Sequence, residues 1–148
     1  VQVPRPHGAA DAQVDRQVRN TEEVAKILGV LAANLARAAG ESGDGSGDGA
    51  RDRAKHYFYA RVDDPFRHWL ASIDEDSDPS EIAQGWEKSL RVFAQETAAR
   101  LVASTPSSAI IGRDTGRGFM NVGTAENYFN SALNKRLPIQ KDTQEGTK

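Results

Sequence analysis

The groups best placed to do chemistry in this 148-residue sequence are cations set against rings. Arg51, Arg53 and Lys55 stand in the run Arg51-Asp52-Arg53-Ala54-Lys55-His56. Arg61 and Arg67 follow among Tyr57, Phe58, Tyr59, Phe66 and Trp69, which are half of the chain's aromatic residues. On a helix, positions 51, 55 and 58/59, or 53, 57 and 61, share a face. A band of charge at that spacing can track a phosphate backbone, with rings beside it for stacking. A structural account competes for the same residues: a solvated face whose arginine stems lie over a core. On that account Tyr57, Phe58, Phe66 and Trp69 are core residues, and Tyr59, off the stripe, is the exposed ring.

Other chemistry is thinner. Gly112 to Gly118 reads GRDTGRG, without the lysine and following serine or threonine that a phosphate loop needs, and no strand precedes it. It reads as a surface loop in which Arg113 and Arg117, with nearby backbone N–H groups, could hold an anion. His68 follows Asp64 by four residues, a weak pair for a metal. No inward Glu-x-x-His pair of a di-metal bundle is present, and no serine sits in a nucleophile elbow. Lys135 and Arg136 close the last helical pattern, where cations favour the C-terminal dipole, and they complete the basic candidates. The expectation is therefore binding rather than catalysis: no catalytic residue, no metal, no cofactor, no small-molecule substrate.

The elements that must carry these groups are helical. After a lead-in over 1–10 with two prolines, Val14, Val18, Thr21, Ala25, Leu28, Ala32, Leu35 and Ala39 repeat at steps of three and four, and Val24, Ile27 and Leu31 widen the stripe. This predicts a helix near 11–39, stopped by Gly40. Glu41 to Gly49, ESGDGSGDG, is a linker that cannot pack. A second helix is predicted near 50–73. Pro65 lies inside it, but the apolar spacing continues across the proline, so one element with a kink near Asp63 is expected. Asp78-Pro79-Ser80-Glu81 is a strong helix start for a third helix near 79–104, carrying Ile82, Trp86, Leu90, Phe93, Ala94, Thr97 and Leu101. A glycine-rich stretch with the apolar pair Ile110-Ile111 follows. A fourth helix near 122–137 carries Ala125, Tyr128, Phe129, Ala132, Leu133 and Leu137, before a polar tail over 139–148.

Four striped helices, none apolar all round, bury their faces only against one another. The fold class is all-α: a four-helix bundle over 11–138 with long connections and flexible termini. The absence of cysteine removes disulfides and thiolate metal sites and fits a cytoplasmic protein. No apolar run approaches the roughly 18 residues of a membrane helix. The net charge of −2 is no nucleic-acid signature overall, but the charge is unevenly spread, with local excesses of positive charge over residues 50–73 and 107–141. Val1 is not methionine, which suggests a piece of a longer protein.

Two segments carry a family resemblance: Tyr57-Phe-Tyr-Ala-Arg-Val-Asp-Asp-Pro-Phe-Arg-His-Trp-Leu70, and Ala125-Glu-Asn-Tyr-Phe-Asn-Ser-Ala-Leu-Asn-Lys-Arg-Leu-Pro138 behind its Gly-Arg loop. With the alanine-rich 31–39, they resemble the C-terminal region of the CasA family, the large subunit of the type I-E CRISPR surveillance complex, Cascade. The resemblance implies a helical bundle appended to a larger N-terminal domain, non-catalytic and serving antiviral defence. Its implied partners are other Cascade subunits, the guide RNA complex with its target DNA, and the helicase–nuclease recruited to it; no membrane is implied. In such complexes base pairing reads sequence and protein holds backbone. The competing expectation, from the net charge and the lack of a base-reading module, is a stand-alone protein-interaction bundle without nucleic acid.

Overall fold

The computed structural model describes residues 7–38, 48–105 and 122–138. Among them are four helices: α1 (His7–Ala38), α2 (Asp48–Ala71), α3 (Pro79–Ala103) and α4 (Val122–Arg136). No strand occurs among the described residues, so the all-α expectation holds. α1 begins four residues earlier than its apolar stripe suggests; once the prolines end at Pro6, Gly8-Ala9-Ala10 offers little resistance to helix, alanine being the best helix former. α2 likewise begins inside the glycine-rich linker, at Asp48, an acid suited to the positive end of a helix. α2 runs unbroken through Pro65 to Ala71, as the continuous stripe implies. Asp78 caps α3, its Oδ1 accepting from the Ser80 N–H at 3.0 Å, with Pro79 in the first helical position.

Side-chain pairings fix the helix directions. Gly29 of α1 lies beside Arg51 and Lys55 of α2, whereas Val18 and Thr21 share a small pocket with Tyr59, Val62 and Phe66, so α1 and α2 are antiparallel. Along α2 and α3, Tyr57 meets Arg100, Arg61 meets Glu96 and Trp69 meets Ile82, again in opposite order. α1 and α3 are therefore parallel, consistent with Gln13 to Ser80 and Gln17 to Glu87 near one end and Ala36 with Leu101 near the other. Ala125 to Ala132 of α4 line a groove with Ile27 to Asn34 of α1, while Asn134 bonds back to Arg91 in the middle of α3. α4 thus points down, and the bundle is up-down-up-down.

α1 packs on all three other helices. At 1.5 Å per residue, α1 is about 48 Å long and α4 only about 22 Å, so among the described residues one end of the bundle has four helices and the other three. Phe58, Leu28, Leu31, Leu90, Leu133 and Val24 fill the four-helix part. The three-helix end is held by rings. Trp69 and Trp86 stack with centroids 5.9 Å apart, Phe66 lies 5.2 and 5.5 Å from them, and Phe93 lies 6.3 Å from Trp86. The Trp69 Nε1–H donates to the Ile82 carbonyl at 3.2 Å, which satisfies its one polar group.

The stripe of α1 turns near its start. Val18 is 38% exposed, while Gln17 and Asn20 are buried. They face Glu87 of α3, whose Oε2 accepts from Gln17 Nε2 at 2.8 Å and Asn20 Nδ2 at 3.2 Å and pairs with Arg16 Nε at 3.3 Å. Asn20 Nδ2 also donates to Gln17 Oε1 at 3.0 Å. Buried amides need such partners, and this set fixes the register of the parallel pair α1 and α3.

Candidate functional site

The two helical faces that could carry a basic band point into different seams. Positions 51, 55 and 58 look toward α1: Phe58 is in the core, and the stems of Arg51 and Lys55 lie across the bare backbone of Gly29. A Cβ there would stand 2.8 Å from Arg51 Cγ and 3.3 Å from Lys55 Cδ. Glycine is what allows that approach, and both cations are half-buried through their stems.

Positions 53, 57 and 61 look toward α3. Arg61 is committed there: its Nη2 meets Glu96 Oε1 at 2.7 Å, and its guanidinium lies 5.8 Å from the Tyr57 ring and 5.9 Å from that of Phe93. The ion pair is partly exposed and worth about 0–1 kcal/mol; the ring contacts add to it. One turn further on, Arg53 and Arg100 flank the same Tyr57, with Arg100 at 5.4 Å from its ring. Neither arginine makes an ion pair with a described residue.

Arg53, Tyr57 and Arg100 stand at the wall of a cleft of about 390 Å³ at the end of the bundle where α1 and α3 finish and α2 starts. Its interior is made by small side chains: Ala32 and Ala36 from α1, Ala50 and Ala54 from α2. Leu35 and Leu101 add apolar surface, and Thr97, Ser104 and Thr105 line its α3 side. The Ser104 and Thr105 hydroxyls both donate to the Leu101 carbonyl, at 3.0 and 2.8 Å, leaving their oxygens as acceptors. Tyr57, expected in the core, is instead half-buried at this wall, because alanines rather than large residues face it.

The remaining candidates lie apart. Lys135 and Arg136 are exposed in the last turn of α4, and α4 points away from the cleft. Arg113 and Arg117, with the whole Gly112–Gly118 loop and Ile110-Ile111, lie outside the described residues, as do Gly40 and the tail from 139. His68 Nδ1 is 3.0 Å from the backbone carbonyl of Asp64, not from its carboxylate. No group of three metal-ligating side chains occurs among the described residues, and none of their helices is long and apolar enough to cross a membrane. Tyr59 is 42% exposed, the ring outside the core that the spacing predicts, and burial followed by the nearby Glu22 raises its pKa. A second, apolar groove runs between α1 and α4, lined by Ile27, Val30, Leu31, Tyr128 and Phe129. Tyr128, expected on the buried stripe, is 62% exposed beside it.

Arg100 is the functional candidate that sequence reasoning passed over. Its signal was present: it lies three residues after the buried Thr97, on the margin of the stripe through Thr97, Leu101 and Ser104. Only the antiparallel pairing of α2 and α3 puts it opposite Arg53.

Comparison with known proteins matches residues 2–97 to the family model of CRISPR-associated protein Cse1. The chain belongs to the Cse1 family. This is the CasA resemblance carried by the aromatic and alanine-rich segments. Among solved structures, the crystal structure of Thermobifida fusca Cse1 matches with a TM-score of 0.71 and 29% sequence identity. The match covers 90% of this chain and 24% of that one, so the chain corresponds to about a quarter of the Cse1 it resembles. No curated protein matches the chain.

Proposed function

We propose that this Cse1-family bundle is a non-catalytic domain of the large subunit of a CRISPR RNA-guided DNA surveillance complex. On this reading it supports assembly, holds a DNA strand through its phosphates and helps recruit the helicase–nuclease, in the cytoplasm. The observation that carries the DNA-binding part is the cleft: Arg53 and Arg100 both line it without a carboxylate partner among the described residues, in a chain whose net charge is −2. Two guanidiniums lining one concave surface, with no carboxylate partner among the described residues, have the electrostatics of an anion site. The exposed Lys135 and Arg136 add a second positive point on α4. Support for assembly comes from the apolar groove between α1 and α4, of about 350 Å³, with Val30 and Tyr128 exposed at it; apolar surface of this kind suits a protein neighbour.

The test is duplex binding by the assembled complex across a salt series. The double substitution Arg53→Glu and Arg100→Glu should weaken binding and lower the slope of log affinity against log salt by about one for each phosphate released from an arginine. Unchanged affinity together with an unchanged slope would remove the DNA-holding role. Arg51→Gln and Lys55→Gln, on the packed face toward α1, should leave the slope nearly as it is.

A further inference from the structure

The cleft is too large for a phosphate alone. A site for an inorganic anion needs its donors and little else, whereas this one adds about 390 Å³ of space behind the arginines, within the range of about 300–1,000 Å³ typical of small-molecule pockets. The space has a definite chemistry. Its floor is Ala32, Ala36, Ala50 and Ala54, which offers apolar surface and no hydrogen-bonding side chain. Its wall is the Tyr57 ring with the Arg61 and Arg100 guanidiniums over it at 5.8 and 5.4 Å, a layer of planar groups to which a nucleobase can add, since bases stack on guanidinium planes as well as on rings. Its rim carries the Ser104 and Thr105 oxygens.

The seam also discriminates along its length. Arg61 is paired with Glu96 one turn from Arg100, whereas Arg53 and Arg100, where the space opens, have no carboxylate partner among the described residues. Charge without room would mark a backbone contact, and room without charge an apolar docking groove. The coincidence of both selects a ligand with a flat apolar body and an attached anion.

We propose that the cleft receives one unstacked nucleotide of a single DNA strand, its base over the alanine floor against Tyr57 and its phosphate between Arg53 and Arg100. This rests on the reading that the domain holds a DNA strand and adds that it grips a base as well as the backbone.

The experiment compares a fluorescent oligothymidine with the same oligonucleotide bearing abasic sites, by anisotropy against the purified protein at low salt. Wild type should bind the intact strand about tenfold more tightly, the scale of one base–aromatic stack. Ala50→Leu, at the half-buried rim of the floor, should reduce intact-strand affinity to the abasic level and leave abasic binding unchanged. Arg53→Gln with Arg100→Gln should weaken both strands. Independently of any variant's folding, a strand carrying 5-iodouracil should photo-cross-link to Tyr57 of the wild-type protein. Equal, salt-sensitive affinity for intact and abasic strands, or a cross-link that avoids Tyr57, would overturn the base pocket and leave backbone binding standing. Failure to bind either strand, with capture of an acidic aromatic peptide instead, would overturn both readings and give the cleft to a protein partner.

Discussion

Replacing Glu87 by alanine tests whether the buried polar set at the α1–α3 seam holds the register of the bundle. Three groups converge on the Glu87 oxygen: Gln17 Nε2, Asn20 Nδ2 and Arg16 Nε. Removing it affects them differently. Arg16 has its side chain 56% exposed and regains water, so its share is about 0–1 kcal/mol. Asn20 keeps its bond to Gln17 Oε1. Gln17 is wholly buried and its Nε2 keeps no partner among the described residues; a stranded buried donor costs about 1–3 kcal/mol, more when its acceptor was charged. The expected cost of Glu87→Ala is therefore about 2–4 kcal/mol. Glu87→Gln keeps an acceptor oxygen and should cost about half as much. Replacing Gln17, Asn20 and Glu87 together by leucine removes donors and acceptor at once and should recover much of the stability. Urea unfolding followed by tryptophan fluorescence is the assay, since Trp69 and Trp86 stack in the same end of the bundle. A loss under about 0.5 kcal/mol for Glu87→Ala, or a triple variant weaker than the single one, would refute the reasoning.

Further predictions concern single positions. Gly85→Ala should stabilise the bundle by about 0.5–1 kcal/mol, because a Cβ there meets nothing within 4 Å. Gly29→Ala should gain less or lose stability, since its Cβ presses on Arg51; a midpoint in urea ranks the two. Asp78→Ala removes the cap on the Ser80 N–H and should cost about 1 kcal/mol, read as a lower melting temperature. The raised pKa of Tyr59, due first to burial and then to Glu22, means that the unfolded chain loses the phenolic proton first. Its contribution is intact below the ordinary tyrosine pKa of about 10 and falls as pH rises above it. Tyr59→Phe should lessen the stability loss between neutral and strongly alkaline pH, measured by denaturation at each pH.

Periodicity made the helices legible because each buries one face, and an apolar face writes itself at steps of three and four. The stripe through Trp86, Leu90, Ala94 and Thr97 is the clearest case, all four being buried. It failed where polar groups are inside: Gln17 and Asn20 look like surface residues until Glu87 is seen opposite them. The site was half legible for a similar reason. Arg53 stood out in its basic run, but spacing along one helix cannot say which neighbour a face meets. The structure divides that run, Arg51 and Lys55 to α1 and Arg53 to α3. Arg100 belongs to a different helix and becomes visible only through pairing.

The up-down-up-down order makes the two ends of the molecule unequal. The join from α2 to α3 is short, and Ser77 Oγ ties it by bonding both the Ser72 carbonyl and the Asp74 carboxylate. The joins from α1 to α2 and from α3 to α4 both depart from and return to the opposite end, where Arg53 and Arg100 stand. An insertion made between α1 and α2 or between α3 and α4 falls at that end, and added length between helices costs little. The cleft end is thus the one at which two joins, rather than one, can vary in length. Relatives that share this frame should differ most at that end, in the company their arginines keep.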